Sequence, residues 1–284
     1  MGIGASVSAT VPKNPPTELQ MEERPFAHGG FGEVYKAKWR HRNVVVKVIK
    51  TLDDEDKDYV MREANLTIGL SHPNVIDLFK ITQLNDWKVG IVMEEAKHGS
   101  LDQWIGKIDQ GQLSKIALDI IDGLKYVHSY KIIHRDIKPK NILMFGTKDE
   151  IIPKIADFGL AKIVQRTTKN SRVGDYIYMA PEVALHCQYG FPADIFSLAA
   201  TLFEMFNEQL IVHAPEEVKR FMHGVHGGKV AKIPPSCKVP VYLINVIERG
   251  LNSNPDERPT LDEYYATLMS FTYGYFSFYL HSTK

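Results

Sequence analysis

The sequence predicts an α+β protein in which a small β-rich N-terminal part with one helix precedes a larger helical part. Strand-like runs occupy residues 21–50 and 75–94 and include the β-branched segment NVVVKVI. From residue 100 onward helical spacing dominates, as at Ile116, Ile120 and Leu124. A chain of 284 residues can bury a core in each of two lobes, and a cleft between lobes is a natural ligand site.

The elements are predicted in a simple order. Two strand runs flank a glycine-rich turn within residues 21–50. Residues 54–69 form the helix of the first part, because the acidic residues at their start suit a helix N-terminus. The segment SHPN ends this helix, and strands return over residues 75–94. Further helices are predicted near residues 191–207, 214–223, 239–250 and 260–270.

Composition narrows the class of protein. Apolar residues make up 44% of the chain and charged residues 24%, as in ordinary globular proteins. The formal net charge is zero, so no nucleic-acid partner is expected. Cys187 and Cys237 fit no metal-ligand spacing, which favours a reducing compartment. The most apolar window, IFSLAATLFEMF, is too short for a membrane span and predicts a buried core helix.

The N-terminal segment differs in composition from the rest. Residues 1–19 are small, polar and rich in proline, and we expect a flexible arm. Residues 20–94 are predicted to form the first lobe, and residues 95–284 the connecting hinge, the second lobe and a short tail. The opening MGIGAS fits the N-myristoylation pattern at Gly2. Because one acyl chain binds membranes only marginally, we expect a cytoplasmic protein with transient membrane contact.

Two segments of the first lobe carry candidate chemistry. AHGGFGEV, residues 27–34, lies between two strand runs, and glycines let backbone N–H groups approach phosphate oxygens. Taken alone, the segment is equally well a tight turn. Lys47 interrupts the next apolar strand, where a buried ammonium needs a partner such as Glu63. The alternative for Lys47 is the outer face of an edge strand.

Two more segments lie in the second lobe. HRDIKPKN, residues 134–141, holds a single acid, Asp136, among the cations Arg135, Lys138 and Lys140. Apolar runs flank this polar loop, as expected for a loop held in place for chemistry. Asp157 of DFG follows a strand-like run and suits Mg²⁺, which binds carboxylate and phosphate oxygens together. Taken alone, DFG is also an ordinary turn.

The order of these segments is specific. The glycine-rich segment, strand lysine, helix glutamate, HRDIKPKN and DFG are followed by APE at residues 180–182. This ordered set resembles the signature of eukaryotic protein kinases over residues 20–270. The resemblance implies the two-lobed protein kinase fold, transfer of the γ-phosphoryl group of ATP to protein substrates, and Mg²⁺ as cofactor.

The resemblance also assigns catalytic roles. Asp136 corresponds to the carboxylate that accepts or orients the substrate hydroxyl, and Lys138 to the cation that steadies the transferring phosphoryl group. Asn141 and Asp157 correspond to the Mg²⁺ ligands. Asp194 corresponds to the helix residue that anchors the catalytic loop in the family.

Nucleotide binding is implied mainly for the first lobe. Lys47, fixed by Glu63, is expected to hold the α- and β-phosphates, and Met93 corresponds to the gatekeeper of the hinge. The implied nucleotide-binding positions are Ala27, Gly29, Gly30, Gly32, Val34, Val45, Lys47, Met93, Glu94, Ala96, Asn141 and Asp157. Glu182 is expected to pair with Arg258 as a structural tie.

Single residues and short segments indicate the substrate class and the subgroup of kinases. Lys138 resembles the serine/threonine form of the loop, since tyrosine kinases usually carry Ala or Arg in this region. GSL at residues 99–101 and ERPT at residues 257–260 resemble the tyrosine-kinase-like group of serine/threonine kinases. Arg135 before the catalytic aspartate predicts phosphorylation at Thr167, Thr168 or Ser171; exposed unmodified hydroxyls are the alternative.

Four positions depart from the family pattern. Ala27 replaces the first glycine of the loop, Val45 narrows the adenine pocket, and Thr67 replaces a large apolar residue. Asp175 stands where threonine is usual, and its carboxylate is expected to repel Asp136 or attract Lys138. These departures keep a second reading open, a pseudokinase that acts as an ATP-binding signalling scaffold. Transfer to a small molecule is disfavoured by the APE segment.

Overall fold

The computed structural model describes residues 18–29, 32–147, 150–158, 175–186, 190–229 and 232–270, which form two compact units. The first unit contains residues up to 70 and Asp77–Glu95, and the second contains Ser71–Ile76 and the chain from Ala96 onward. Gly2, Gly30, Cys187 and the predicted phosphorylation sites lie outside the described residues. In the described part, no helix is both long and apolar enough to cross a bilayer.

The first unit is a curled antiparallel sheet with one helix. Its strands are β1 (Leu19–Met21), β2 (Ala27–Gly29), β3 (Gly32–Trp39), β4 (Arg42–Lys50), β5 (Leu78–Asn85) and β6 (Lys88–Glu94). The order is β1-β3-β4-β6-β5, and β2 pairs with β3. Because side chains alternate along β4, Val44, Val46 and Val48 enter a core on one face, and Lys47 points to the other.

Helix α1 (Asp54–Thr67) contacts strands β5 and β6 of the same unit. The Asp53 carboxylate caps it by accepting a hydrogen bond from the Asp56 N–H at 2.7 Å. Val60, Ala64 and Thr67 form its buried stripe. The predicted helix over residues 54–69 is therefore confirmed, with an end two residues earlier.

The second unit is mainly helical. Its helices are α2 (Gln110–Ser129), α3 (Pro181–His186), α4 (Phe191–Phe206), α5 (Glu216–His226), α6 (Val241–Gly250) and α7 (261–270). Strands β7 (Ile142–Gly146) and β8 (Ile151–Ile155) form a two-stranded sheet that contacts α2. Helix α4 is the apolar window noted in the sequence, and it is buried from Ala193 to Phe206, as predicted.

Residues 71–76 belong to the second unit, whereas the predicted first lobe, residues 20–94, includes them. The backbone explains the difference, because the Ile76 N–H donates to Ile155 O at 2.9 Å and the Ile155 N–H donates to Asn74 O at 2.9 Å. Gly123 of α2 packs directly against this segment. A Cβ atom at Gly123 would lie 2.6 Å from Asn74 O, so only glycine fits there.

Candidate active site

The HRDIKPKN loop of the second unit is anchored by one buried carboxylate. Asp194, near the start of α4, is 0% exposed and accepts backbone hydrogen bonds from His134 and Arg135, each at 2.8 Å. It also lies 2.8 Å from Nε2 of His128 on α2. Arg135 has a φ of 71°, a left-handed conformation that is unfavourable for a residue with a side chain. The predicted anchoring of the loop by Asp194 is confirmed.

Asp136 is held by two other members of the loop. Its Oδ2 accepts a hydrogen bond from Asn141 Nδ2 at 2.6 Å and lies 2.9 Å from Lys138 Nζ. Lys138 is 5% exposed and Asn141 also 5% exposed, so both contacts are shielded from water. The structure therefore brings Asp136, Lys138 and Asn141 together, as the family pattern implies.

His134 supports the loop as a neutral imidazole. The Asp136 N–H donates to its Nδ1 at 3.2 Å, so Nε2 carries the proton and donates to Ala156 O at 2.9 Å. The ring also packs against Phe158, with centroids 4.8 Å apart. Burial lowers the pKa of His134, which favours the neutral imidazole over the protonated form.

Asn141 and Asp157, the predicted Mg²⁺ ligands, lie on two segments that a backbone hydrogen bond joins. The Ala156 N–H donates to Asn141 O at 2.8 Å, so Asp157 follows directly on the residue bonded to Asn141. Because the Asn141 amide nitrogen donates to Asp136, its side-chain oxygen is the atom left to ligate. An amide oxygen and a carboxylate form a donor set that fits Mg²⁺. The φ of Asp157 is 69°, a second left-handed residue in this region.

Lys47 lies in the middle of the sheet of the first unit. It stands opposite Val34 on β3 and Ile91 on β6, and it is 3% exposed. The alternative of an exposed edge-strand lysine is therefore wrong, because β4 is paired on both sides. Glu63 lies on α1 and is half-buried. The pairing of Lys47 with Glu63 stays a prediction.

The glycine-rich segment is a hairpin of β2 and β3. Ala27 pairs with Val34, and Gly29 pairs with Gly32. A Cβ atom at Gly32 would lie 2.1 Å from Val48 O of β4, so the sheet itself already requires glycine at this position. The segment can therefore be a tight hairpin turn and still bind phosphate groups through its backbone.

The hinge residues lie at the end of β6. Met93 stands opposite Val45, whose side chain is buried, and the Glu94 N–H donates to Asp77 O at 3.2 Å. Asp77 N–H in turn donates to Glu94 Oε1 at 2.9 Å. Contacts of Glu94 and Ala96 with adenine stay predictions.

The departures at Thr67 and Asp175 have different outcomes. Thr67 is buried, and its hydroxyl donates to Ala64 O at 2.9 Å, so the polar group is satisfied within its own helix. Asp175 begins a short 3-10 helix, Asp175–Tyr178, but its side chain lies outside the described part. The predicted effect on Asp136 therefore stays a prediction.

Structural ties fix the segment that contains APE. Both guanidinium NH2 groups of Arg258 donate to Glu182, at 2.6 and 2.7 Å, which confirms the predicted pair. A tie that the sequence reasoning missed joins Tyr178 to Glu204 of α4: the phenol O–H donates to Glu204 Oε2 at 2.6 Å. Glu204 Oε1 accepts from the Ile211 N–H at 2.7 Å. The only sequence feature that pointed to this hydrogen bond is the presence of an acidic residue, Glu204, in an otherwise apolar stretch of helix.

Glu204 gives the unit a specific pH dependence. Burial raises its pKa from 4.5 to about 7, although the two hydrogen bonds oppose the shift. In the unfolded chain this group ionises near its ordinary value, so between pH 4.5 and 7 folding takes up a proton. The free energy of unfolding therefore falls as pH rises through this range, by up to about 1.4 kcal/mol per pH unit.

We expect Glu204→Gln to remove this dependence, because its amide can still accept from Ile211 and donate to Tyr178. Urea unfolding at pH 5 and pH 8 should show that the variant gains stability over wild type at pH 8. Glu263→Gln, at an exposed residue, is the matched control. An equal loss of stability between pH 5 and pH 8 in wild type and Glu204→Gln would contradict the prediction.

The first unit has a curled sheet and one helix, and the second is mainly helical and holds the anchored HRDIKPKN loop. These are features of protein kinases. A model of the protein kinase domain matches residues 22–268. The chain therefore belongs to the protein kinase family, as the motifs had implied.

The relatives include kinases of both specificities. The chain is 32% identical over 270 residues to mitogen-activated protein kinase kinase kinase 10 of Xenopus laevis, covering 88% of this chain and 26% of the relative. It is 28% identical over 245 residues to tyrosine-protein kinase csk-1 of Caenorhabditis elegans, covering 84% and 44%. It is 31% identical over 254 residues to probable serine/threonine-protein kinase gdt4 of Dictyostelium discoideum, covering 84% and 15%.

The chain thus spans less than half the length of each of these three relatives. Similarity to both serine/threonine and tyrosine kinases agrees with the tyrosine-kinase-like group that the motifs indicated.

Proposed function

We propose that this chain is an ATP-dependent protein kinase that phosphorylates serine and threonine hydroxyls of protein substrates. The observation that carries the proposal is the arrangement around Asp136, whose carboxylate is held by Lys138 and Asn141 on a loop anchored by Asp194. Such fixed positioning is most of what a protein contributes to phosphoryl transfer.

The chemistry follows from the positions of these residues. Asp136 orients the substrate hydroxyl and accepts its proton as the oxygen bonds to the γ-phosphorus and the bond to ADP breaks. Lys138, 2.9 Å from Asp136, would neutralise charge on the transferring group. Asn141 and Asp157 would hold Mg²⁺, which offsets the charge of the phosphates. Lys47 would hold the α- and β-phosphates from the first unit.

Serine/threonine specificity is supported by Lys138. We expect the purified chain to transfer labelled phosphate from ATP to a mixed basic protein substrate, with phosphoserine and phosphothreonine recovered after acid hydrolysis. Lys47→Met should abolish transfer, because the buried cation of β4 is lost. The matched control is Lys50→Met at the exposed end of the same strand, which should retain activity. Recovery of phosphotyrosine alone would overturn the specificity and leave the kinase activity standing.

The second candidate is the pseudokinase, an ATP-binding scaffold without transfer. Ala27 and Asp175 favour it, because both depart from the pattern of active kinases. Nucleotide binding without labelled product, in a chain that melts cooperatively, would establish this reading.

A further inference from the structure

The turn between β3 and β4 concentrates positive charge in a protein whose formal net charge is zero. Trp39 stands opposite Arg42, so Arg40 and His41 form a two-residue turn. With Lys38 and Arg42 on either side, the segment 38–42 carries three fixed cations and a histidine and no acid. We call residues 38–42 the basic turn; Lys38, Arg40, His41 and Arg42 are all exposed.

Local stability does not explain these residues. Arg40 and His41 have φ values of 46° and 64°, both left-handed. A two-residue turn of this kind favours Asn-Gly, because residues with longer side chains, such as Arg and His, are strained in the left-handed region. The basic turn therefore keeps its cations at positions where other residues would fold better.

Most of this charge is not neutralised within the unit. Arg40 Nε donates to Glu18 Oε2 at 2.9 Å, which compensates one cation. Among the described residues, Lys38 and Arg42 form no ion pair within 4 Å. Lys80 adds a further cation that acts on the same glutamate, since Arg40 and Lys80 both lower the pKa of Glu18.

The residues around the basic turn indicate which kind of anionic partner it can bind. The described residues that line the concavity beside it are Glu18, Gln20, Lys38, Arg40 and His41, and none of these five has an apolar side chain that could anchor a peptide. Trp39 is already covered: the Arg40 guanidinium lies 4.9 Å from its ring centre, and Phe79 stacks on it at 5.9 Å. It is therefore not available for stacking on nucleic-acid bases.

From these observations we propose that the basic turn docks the first unit onto an anionic lipid surface. A planar array of phosphate and carboxylate headgroups attracts cations that lie near its surface and requires neither an apolar anchor nor a free aromatic ring. The register Leu19–Trp39 adds a geometric point, because it brings the start of β1 next to the basic turn. Glu18, the first described residue, therefore lies beside the proposed membrane-facing surface.

The experiment uses the whole chain produced without acylation, so that any binding comes from the protein surface. Sedimentation is measured with phosphatidylcholine vesicles and with vesicles containing 30% phosphatidylserine. We expect binding only to the anionic vesicles, and a loss of binding in high salt because exposed charges are screened. Lys38→Gln/Arg42→Gln should lower the partition coefficient by roughly 30-fold, because each cation near an anionic surface contributes about a factor of five.

Two further variants make the test specific. Glu18→Gln frees Arg40 and should raise the partition coefficient several-fold. Lys131→Gln/Arg220→Gln removes the same charge from exposed positions of the second unit and should leave binding unchanged. Equal binding by the two double variants, or no preference for anionic vesicles, would overturn the proposal. Binding to polyglutamate without binding to vesicles would also overturn it, in favour of an acidic protein partner.

Discussion

Asp136→Asn is expected to lower kcat by roughly 10²- to 10⁴-fold, the range for loss of a catalytic base. The amide cannot accept the proton of the substrate hydroxyl, although its oxygen can still accept the hydrogen bond from Asn141. Single-turnover phosphotransfer measures the loss, and the affinity for a fluorescent ATP analogue should stay within about twofold. Asp119→Asn, in an exposed ion pair of α2, is the matched control and should retain wild-type turnover.

A second consequence of Asp136→Asn concerns stability. Lys138 is 5% exposed, and the substitution removes the negative charge that lies 2.9 Å from its buried ammonium. We expect the variant to melt at lower temperature and the double variant Asp136→Asn/Lys138→Met to recover part of that loss without recovering activity. If Asp136→Asn kept wild-type turnover, Asp136 would not be the catalytic carboxylate.

Asp194→Ala is expected to cost about 3–5 kcal/mol of unfolding free energy, the range for breaking a buried charged network. Two backbone N–H groups, of His134 and Arg135, would lose their acceptor, and so would His128. Because Arg135 is held in a left-handed conformation, the catalytic loop should relax as well, and turnover should fall with stability.

Urea unfolding measures the loss of unfolding free energy in Asp194→Ala. Hydrogen exchange of the His134 and Arg135 amides shows whether the loss arises at the anchored loop. Asp194→Asn is the matched variant, since its amide has one oxygen acceptor where the carboxylate has two. Its free energy of unfolding should lie between those of wild type and Asp194→Ala. A loss below 1 kcal/mol in Asp194→Ala, with unchanged exchange of the two amides, would show that the anchor is not essential.

Local patterns in the sequence predicted most elements of the fold. The apolar spacing of α2, the acidic start of α1 and the apolar window of α4 each produced the expected helix, because these signals lie within one element. The order of short motifs predicted the family and, through it, Asp136, Lys138 and Asn141. Strand β7 was missed, since a five-residue apolar run has no distinctive period.

The partners of buried charges could not be read from local pattern. Glu204 and Tyr178 are 26 residues apart, and nothing in either segment names the other. Likewise, the charges of the basic turn look like an ordinary solvated run until the pairing of β1 with β3 places Glu18 beside Arg40.

The sequence by itself therefore determined the family, most of the strands and helices and the identity of the candidate catalytic residues, since each depends on residue type and spacing along the chain. Only the tertiary structure decided that residues 71–76 join the second unit, that Asp194 gathers three donors, and that Glu204 resists ionisation. The physical reason is that burial and hydrogen-bond partners arise from contacts between residues far apart in the chain.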